Sequence, residues 1–240
     1  MERTLVIGFD AGDLSIIKEN LESFPNFKRM LESSSYSVMR SVIPPVTIPA
    51  WISIYSGLSP DQLEIFDFQK VGFEDYEFHP RNNKGRGEFW NYLDSEMYLN
   101  SLPNNPRAVD RGYIIKTFLS YEEADGYPEE FDKEIRERNF GQIHKMEDFT
   151  SEKKRRDKAV ENLESIFNAD KWVLDEKEPE FTFTVYRILD TFLHHTQRWS
   201  EIRRAYKKAD IVLGYFLDNF EGNVFIVSDH GCAEAKKRFY

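Results

Sequence analysis

Six residues of this sequence carry groups that together could hold a cation beside a nucleophile. Asp10 closes the apolar run Thr4–Phe9, Asp190 closes Phe181–Leu189, and Asp229 follows Val224–Val227 by one serine. His194 stands four residues after Asp190, His230 adjoins Asp229, and Thr47 supplies a hydroxyl. Acids at the carboxyl ends of parallel strands lie along one edge of a sheet, where α/β folds place their ligands. Carboxylates gathered there repel one another unless they are protonated or bind cations. Carboxylate and neutral imidazole together suit Zn²⁺, and Mn²⁺ or Fe²⁺ less specifically. Taken singly, Asp10 reads equally as a turn aspartate or helix cap, and each histidine as an ordinary surface or core residue. Their recurrence at strand ends is what predicts a metal site.

The hydroxyl lies in Ser41 to Phe68, SVIPPVTIPAWISIYSGLSPDQLEIFDF. Pro44-Pro45 forces an extended approach. Pro49 suits a first helical turn, where its missing N–H costs nothing. Ala50, Trp51, Ile52, Ile54 and Tyr55 continue the helix, and Gly57 ends it in the left-handed region. Thr47 is therefore expected at a helix N-terminus, where backbone N–H groups and the dipole favour an anion. By itself the stretch reads as a simple N-cap. With the acids beside it, a cation would lower the hydroxyl's pKa and make it a nucleophile.

The elements that must position these groups follow from hydropathy. Thr4–Phe9 is a continuous apolar run, as in a strand buried on both faces of a parallel sheet. Pro25–Leu31 opens a short helix and Tyr36–Val42 reads as a second strand. Residues 67–86 read as a polar surface loop in which Arg81, Lys84 and Arg86 form a basic cluster. Glu88–Leu93 looks helical, Tyr113–Leu119 strand-like, and Pro128–Arg138 and Ser151–Phe167 helical. Phe181–Leu189 is a β-branched and aromatic strand, ending at Asp190. Trp199–Phe220 is an amphipathic helix whose apolar face is Ile202, Ala205, Tyr206, Ala209, Val212, Leu213 and Phe216. Strands alternating with helices predict an α/β fold, a three-layer αβα sandwich on a mainly parallel sheet. The reading is one domain over residues 1–240, with 69–150 an irregular cap region.

Composition narrows the function. A net charge of −10 argues against binding a nucleic-acid backbone by charge. It leaves phosphate substrates open, because a bound cation inverts the local field. The single cysteine, Cys232, precludes an internal disulfide and fits a reducing compartment. The run in MERTLVIGFD is too short for a signal peptide, and no stretch approaches the ~20 apolar residues that span a bilayer. These features predict a cytoplasmic protein without a membrane segment, with no partner specified beyond a small molecule.

The segments VIGFDAGD, PNFKRMLESSSYSVMRSVIPPVTIPAWISIYSG with IFDF after it, ILDTFLHHTQRW and VFIVSDHG occur in an order and spacing that resemble the alkaline phosphatase superfamily. Within it the sequence is most similar to the type I phosphodiesterase/nucleotide pyrophosphatase branch, over nearly the whole chain. The resemblance implies a metal-dependent phosphohydrolase with one or two divalent ions, Zn²⁺ or Mn²⁺, acting on a small-molecule phosphate ester. It implies that Thr47 is the nucleophile and forms a phospho-enzyme. Asp10, Asp229 and His230, with Thr47, would hold one ion, and Asp190 and His194 the other. Three departures stand out. The family's third ligand to the second ion is a histidine well downstream of SDHG, whereas none follows His230 here, so the second ion is expected to bind more weakly. His195 is a poor substitute, since adjacent residues point differently. Leu63-Glu64 replaces a usual His-Gly, and Ala11-Gly12 reverses a usual Gly-Ala. Two alternatives remain: a degenerate, non-catalytic ligand-binding protein of the same fold, and a sulfatase-like hydrolase. The second is disfavoured because no Cys-x-Pro-x-Arg pattern occupies the Thr47 region.

Overall fold

The order of apolar runs is realised as a sheet whose strands are far apart in sequence. The computed structural model describes residues 2–71, 78–80, 87–102, 109–116, 126–140 and 149–232. In chain order the elements are β1 (Thr4–Phe9), α1 (Leu14–Glu19), α2 (Pro25–Ser33), α3 (Thr47–Ser56), α4 (Pro60–Leu63), β2 (Gln69–Val71), β3 (Phe78–Pro80), β4 (Met97–Asn100), β5 (Gly112–Ile115), β6 (Gly126–Tyr127), α5 (Glu129–Glu137), α6 (Glu152–Glu176), β7 (Phe181–Tyr186), α7 (Ile188–His195), α8 (Trp199–Asn219) and β8 (Asn223–Val227). Six strands form one sheet in the order β6-β5-β4-β7-β1-β8, and β2 and β3 form a separate hairpin. All pairings in the large sheet are parallel except β5 with β6.

Alternation along β1 divides the interior into two layers. Leu5, Ile7 and Phe9 point to one face, where they join α1, α2, α6, α7 and α8 through residues such as Phe27, Ile166, Phe192, Tyr206 and Phe216. Val6 points to the other, where Trp51 and Tyr55 of α3 pack with Trp90, Leu99, Phe181, Phe183 and Val185. Every residue of β7 is buried, Thr182 and Thr184 included, as befits a central strand covered on both faces. The result is the expected three-layer α/β arrangement around a mainly parallel sheet.

Several expectations are corrected. Residues 36–42 form no strand: Val38 and Met39 are about four-fifths exposed (81% and 78%), and among the described residues no strand pairs with them. Strand propensity without a hydrogen-bonding partner does not make a strand. The run from Phe181 stops at Tyr186, because its parallel ladder with β1 ends at the Phe9–Tyr186 pair. Asp190 is therefore in the first turn of α7 and not at a strand end. The helix expected over Ser151–Phe167 continues to Glu176. β4 was not legible in the sequence, and with β5 and β6 it places three strands of the sheet between residues 97 and 127. The strand expected over Tyr113–Leu119 is seen as Gly112–Ile115, and residues 117–119 lie outside the described residues. The basic cluster Arg81, Lys84 and Arg86 lies outside them too. Among the described residues, no helix is long and apolar enough to cross a membrane.

Candidate active site

Adjacent parallel strands bring the ends of the chain together. β1 lies between β7 and β8, so Asp10, immediately after β1, and Asp229, two residues after β8, emerge at one edge. The turn after β1 separates two acids with different roles. Asp13 accepts from the Ser15 N–H at 2.8 Å and caps α1. Asp10 is fully buried, and neither of its carboxylate oxygens has a hydrogen-bond partner among the described residues. Between them Ala11 takes a φ of 57°, which turns its N–H toward Asp229 Oδ1 at 3.2 Å. Ser228 Oγ accepts from the Gly12 N–H and donates to the His230 carbonyl, each at 2.8 Å. Ser41 Oγ donates to the Asp229 carbonyl at 2.6 Å. Of these four bonds, those from the Ala11 and Gly12 N–H groups tie the Ser228–His230 segment to the turn after β1.

The nucleophile candidate arrives from the opposite layer. Thr47 is the first residue of α3, and Val46 is the capping position with no side-chain cap bond. The Thr47 hydroxyl instead lies 3.3 Å from His230 Nε2, and the residue is 5% exposed. His230 Nδ1 is 2.9 Å from the Gly231 carbonyl, which can only accept. Nδ1 therefore carries a proton, and in the neutral ring Nε2 presents its lone pair to the site. That nitrogen lies 3.2 Å from Asp229 Oδ2 and 3.7 Å from Asp10 Oδ1. α3 is held in place by Trp51, which packs on Gly8, two residues before Asp10.

α7 supplies the other side. Ligand atoms of Asp10, Asp190 and His230 all lie within 4.8 Å of one another. Asp190 Oδ1 is 3.3 Å from Nε2 of His194, whose side chain is largely exposed. Arg187, which links β7 to α7, reaches between the acids: Nε is 3.4 Å from Asp10 Oδ2 and a terminal nitrogen is 3.6 Å from Asp190 Oδ2. His195 turns away to Glu152 on α6, in keeping with its expected different direction. Arg187, Ser41 and Ser228 are site residues that sequence reasoning missed; no spacing pattern marks them.

The electrostatics are those of crowded, buried acids. Burial, then the charges of Asp229 and Asp190, push the Asp10 carboxyl well above its ordinary range, against Arg187 and His230. Burial raises Asp229 to about 7, against hydrogen bonds from the Ala11 and His230 N–H groups. Burial also acts to raise Asp190, but the His194 hydrogen bond and the Arg187 charge outweigh it and hold it low. The same hydrogen bond raises His194. Buried carboxylate oxygens without hydrogen bonds are costly and rare. The unpartnered oxygens of Asp10 and Asp229 and the inward Nε2 of His230 suit a divalent cation by donor type, while the ligand atoms that converge within 4.8 Å are those of Asp10, Asp190 and His230.

Comparison with known proteins follows this geometry. The chain has the fold of phosphonoacetate hydrolase from Sinorhizobium meliloti. In the complex with phosphonoformate the TM-score is 0.70 at 16% identity; in the complex with phosphonoacetate it is 0.68 at 15%. The match covers 96% of this chain in both, and the chain spans 56% of the length of that hydrolase. No curated protein sequence matches the chain significantly. The family model for type I phosphodiesterase/nucleotide pyrophosphatase matches residues 4–240. The chain belongs to the type I phosphodiesterase/nucleotide pyrophosphatase family.

Proposed function

We propose that the protein is a divalent-metal-dependent phosphohydrolase of small phosphate esters, with Thr47 as its nucleophile. The observation that carries this reading is the Thr47 hydroxyl: it is buried, starts a helix without capping it, and stands 3.3 Å from the inward nitrogen of His230 beside the hydrogen-bond-free Asp10 carboxylate. Asp10, Asp229 and His230 would hold the ion with Thr47 beside them, and Zn²⁺ or Mn²⁺ suits that donor set. A bound divalent ion supplies the positive charge that lowers the hydroxyl's pKa and offsets charge developing on phosphoryl oxygens.

The chain's own residues do the remaining work. The first turn of α3 directs backbone N–H groups and the positive end of its dipole at an incoming phosphoryl group. Without the ion His230 Nε2 lies where it can take a hydrogen bond from the Thr47 hydroxyl; with the ion its one lone pair would go to the metal, and the shared ion would orient the hydroxyl instead. Asp190 and His194 stand on α7 beside Asp10, suited to the leaving-group oxygen. A small anionic substrate accords with the phosphonoformate and phosphonoacetate seen in the structurally similar hydrolase. The test compares wild type, Thr47→Ser and Thr47→Ala on aryl phosphate mono- and diesters, with and without chelator. Chelation should abolish turnover, Thr47→Ser should retain part of it, and Thr47→Ala should lose a factor on the order of 10³ or more. Thr47→Ala at wild-type rate would overturn the assignment.

A further inference from the structure

Arg187 is the one permanent cation directed into this cluster among the described residues, and nothing in the proposed reaction accounts for it. Its side chain is 17% exposed and bridges acids on two different elements, Asp10 after β1 and Asp190 on α7. Guanidinium stays charged at all accessible pH values and presents its donors in a rigid planar fork. It therefore does between Asp10 and Asp190 what a bridging metal would do: it offsets two carboxylates that would otherwise repel. Asp190 has its other oxygen against His194, so both of its oxygens already have cationic or hydrogen-bonding neighbours. Asp229 has no such arginine: its Oδ2 faces His230 and lacks a hydrogen bond. The two halves of the cluster are thus unequal. The Asp229–His230 half lacks positive charge, and the Asp190 half contains it.

We propose that Arg187 is the resident cation of the Asp10–Asp190 half, so that the protein binds one divalent ion tightly, at Asp10, Asp229 and His230. This inference rests on the phosphohydrolase reading for the identity of the ion site, and it sets the number of ions that site uses. A second divalent ion near Asp190 would meet the guanidinium at close range, and like charges at that separation repel strongly in a buried setting. Removing the charge should therefore open a second site from Asp10, Asp190 and His194.

The experiment is calorimetric titration of Mn²⁺ into metal-free protein, with electron paramagnetic resonance of the loaded samples. Wild type should take one tight equivalent and give the spectrum of an isolated ion. Arg187→Gln should take a second equivalent, or bind it at least tenfold more tightly than wild type does, with the signature of two coupled ions. Arg187→Lys keeps the charge and should stay at one. Circular dichroism melts establish that each variant is folded, and the wild-type and Arg187→Lys counts decide the matter if Arg187→Gln is not. Two tight ions in wild type, or a count unchanged in folded Arg187→Gln, would overturn the inference and leave the phosphohydrolase reading standing. No ion bound by wild type or by either variant would overturn both.

Discussion

Gly8 is the position where a single methyl group should connect packing to chemistry. A β-carbon there would lie 2.6 Å from Trp51 Cη2 and 2.9 Å from Val185 Cγ2. Carbon atoms ordinarily meet at about 3.5–4.0 Å, so roughly 1 Å must be absorbed. β1 cannot supply it, being hydrogen-bonded to strands on both sides. Trp51 is fully buried, stacked on Tyr55 and edge-on to Phe183, so the ring cannot swing into space. α3 must therefore lift, and Thr47, one turn before Trp51, lifts with it. Overpacking of this kind costs about 1–3 kcal/mol, which for a chain of this length lowers the melting temperature by about 2–12 °C. A displacement of about 1 Å at a reacting group costs on the order of 10²-fold in rate. Gly8→Ala should show both losses, by thermal melting and by kcat/KM on an aryl phosphate ester. The double variant Gly8→Ala/Trp51→Phe should recover part of the stability, with a coupling of about 0.5–3 kcal/mol. Wild-type melting and rate in Gly8→Ala, or strictly additive losses in the double variant, would show that this contact does not set the position of Thr47.

Three further outcomes are expected. Asp229 has its carboxyl raised from 3.8 to about 7 by burial, so the fold favours its protonated form; its contribution is full below pH 3.8 and is lost as pH rises toward 7. The urea midpoint of metal-free protein should therefore fall as pH rises from 3.8 to about 7, and Asp229→Asn should flatten that fall; an identical slope in the variant would refute the attribution. Asp170 on α6 is fully buried and accepts from Tyr98 Oη at 2.9 Å, Asn100 Nδ2 at 2.6 Å, Thr184 Oγ1 at 2.8 Å and the Tyr186 hydroxyl. Asp170→Asn keeps one acceptor oxygen and turns an NH₂ toward hydroxyl donors, so it should lose roughly 2–6 kcal/mol for two displaced donors, a loss that chemical denaturation would miss only if the network were dispensable. Ala11 and Glu64 hold φ values of 57° and 59°, where an L side chain costs about 1–2 kcal/mol and glycine's flexibility in the unfolded chain returns about 0.4–1 of it. Ala11→Gly and Glu64→Gly should each raise stability by up to about 1.6 kcal/mol, and a lowered melting temperature in either would contradict the account of that position.

What the sequence disclosed depended on whether a residue sat at the end of a patterned run. Asp10, Thr47 and Asp229-His230 were legible because each adjoins a contiguous apolar or capped segment that folds much as it reads. Asp190 was singled out as a candidate for a partly wrong reason. After Tyr186 and Arg187 the sequence turns apolar again at Ile188-Leu189, but those residues belong to a helix that begins when the β1 ladder ends. Arg187 lies at that junction, and a lone arginine beside a strand carries no periodic signal. β4 escaped notice because it has only four residues and follows an acidic stretch. Asp170 breaks the polar-outside rule on α6, and only the assembled sheet shows its four partners. The two departures from the family's usual glycines are informative in another way. Ala11 and Glu64 occupy the positions where the resemblance places glycine, and both still adopt the left-handed backbone. Backbone path there is kept while the residue suited to it is not.

The placement of β1 between β7 and β8 also governs when the protein can exist. β1, which leads into Asp10, leaves the ribosome before either of its neighbours: the inner one begins at Phe181 and the outer one at Asn223. At ~5–20 residues per second, the roughly 170 residues between β1 and β7 take about 9–34 s to synthesise. Throughout that interval an apolar strand waits with both edges open, the condition in which nascent chains pair wrongly or recruit chaperones. The proposed cation, in turn, would be captured only after the Ser228–His230 segment has been made and docked. The proposed activity is thus withheld from every partial translation product, because no prefix of the chain lacking that segment contains the site.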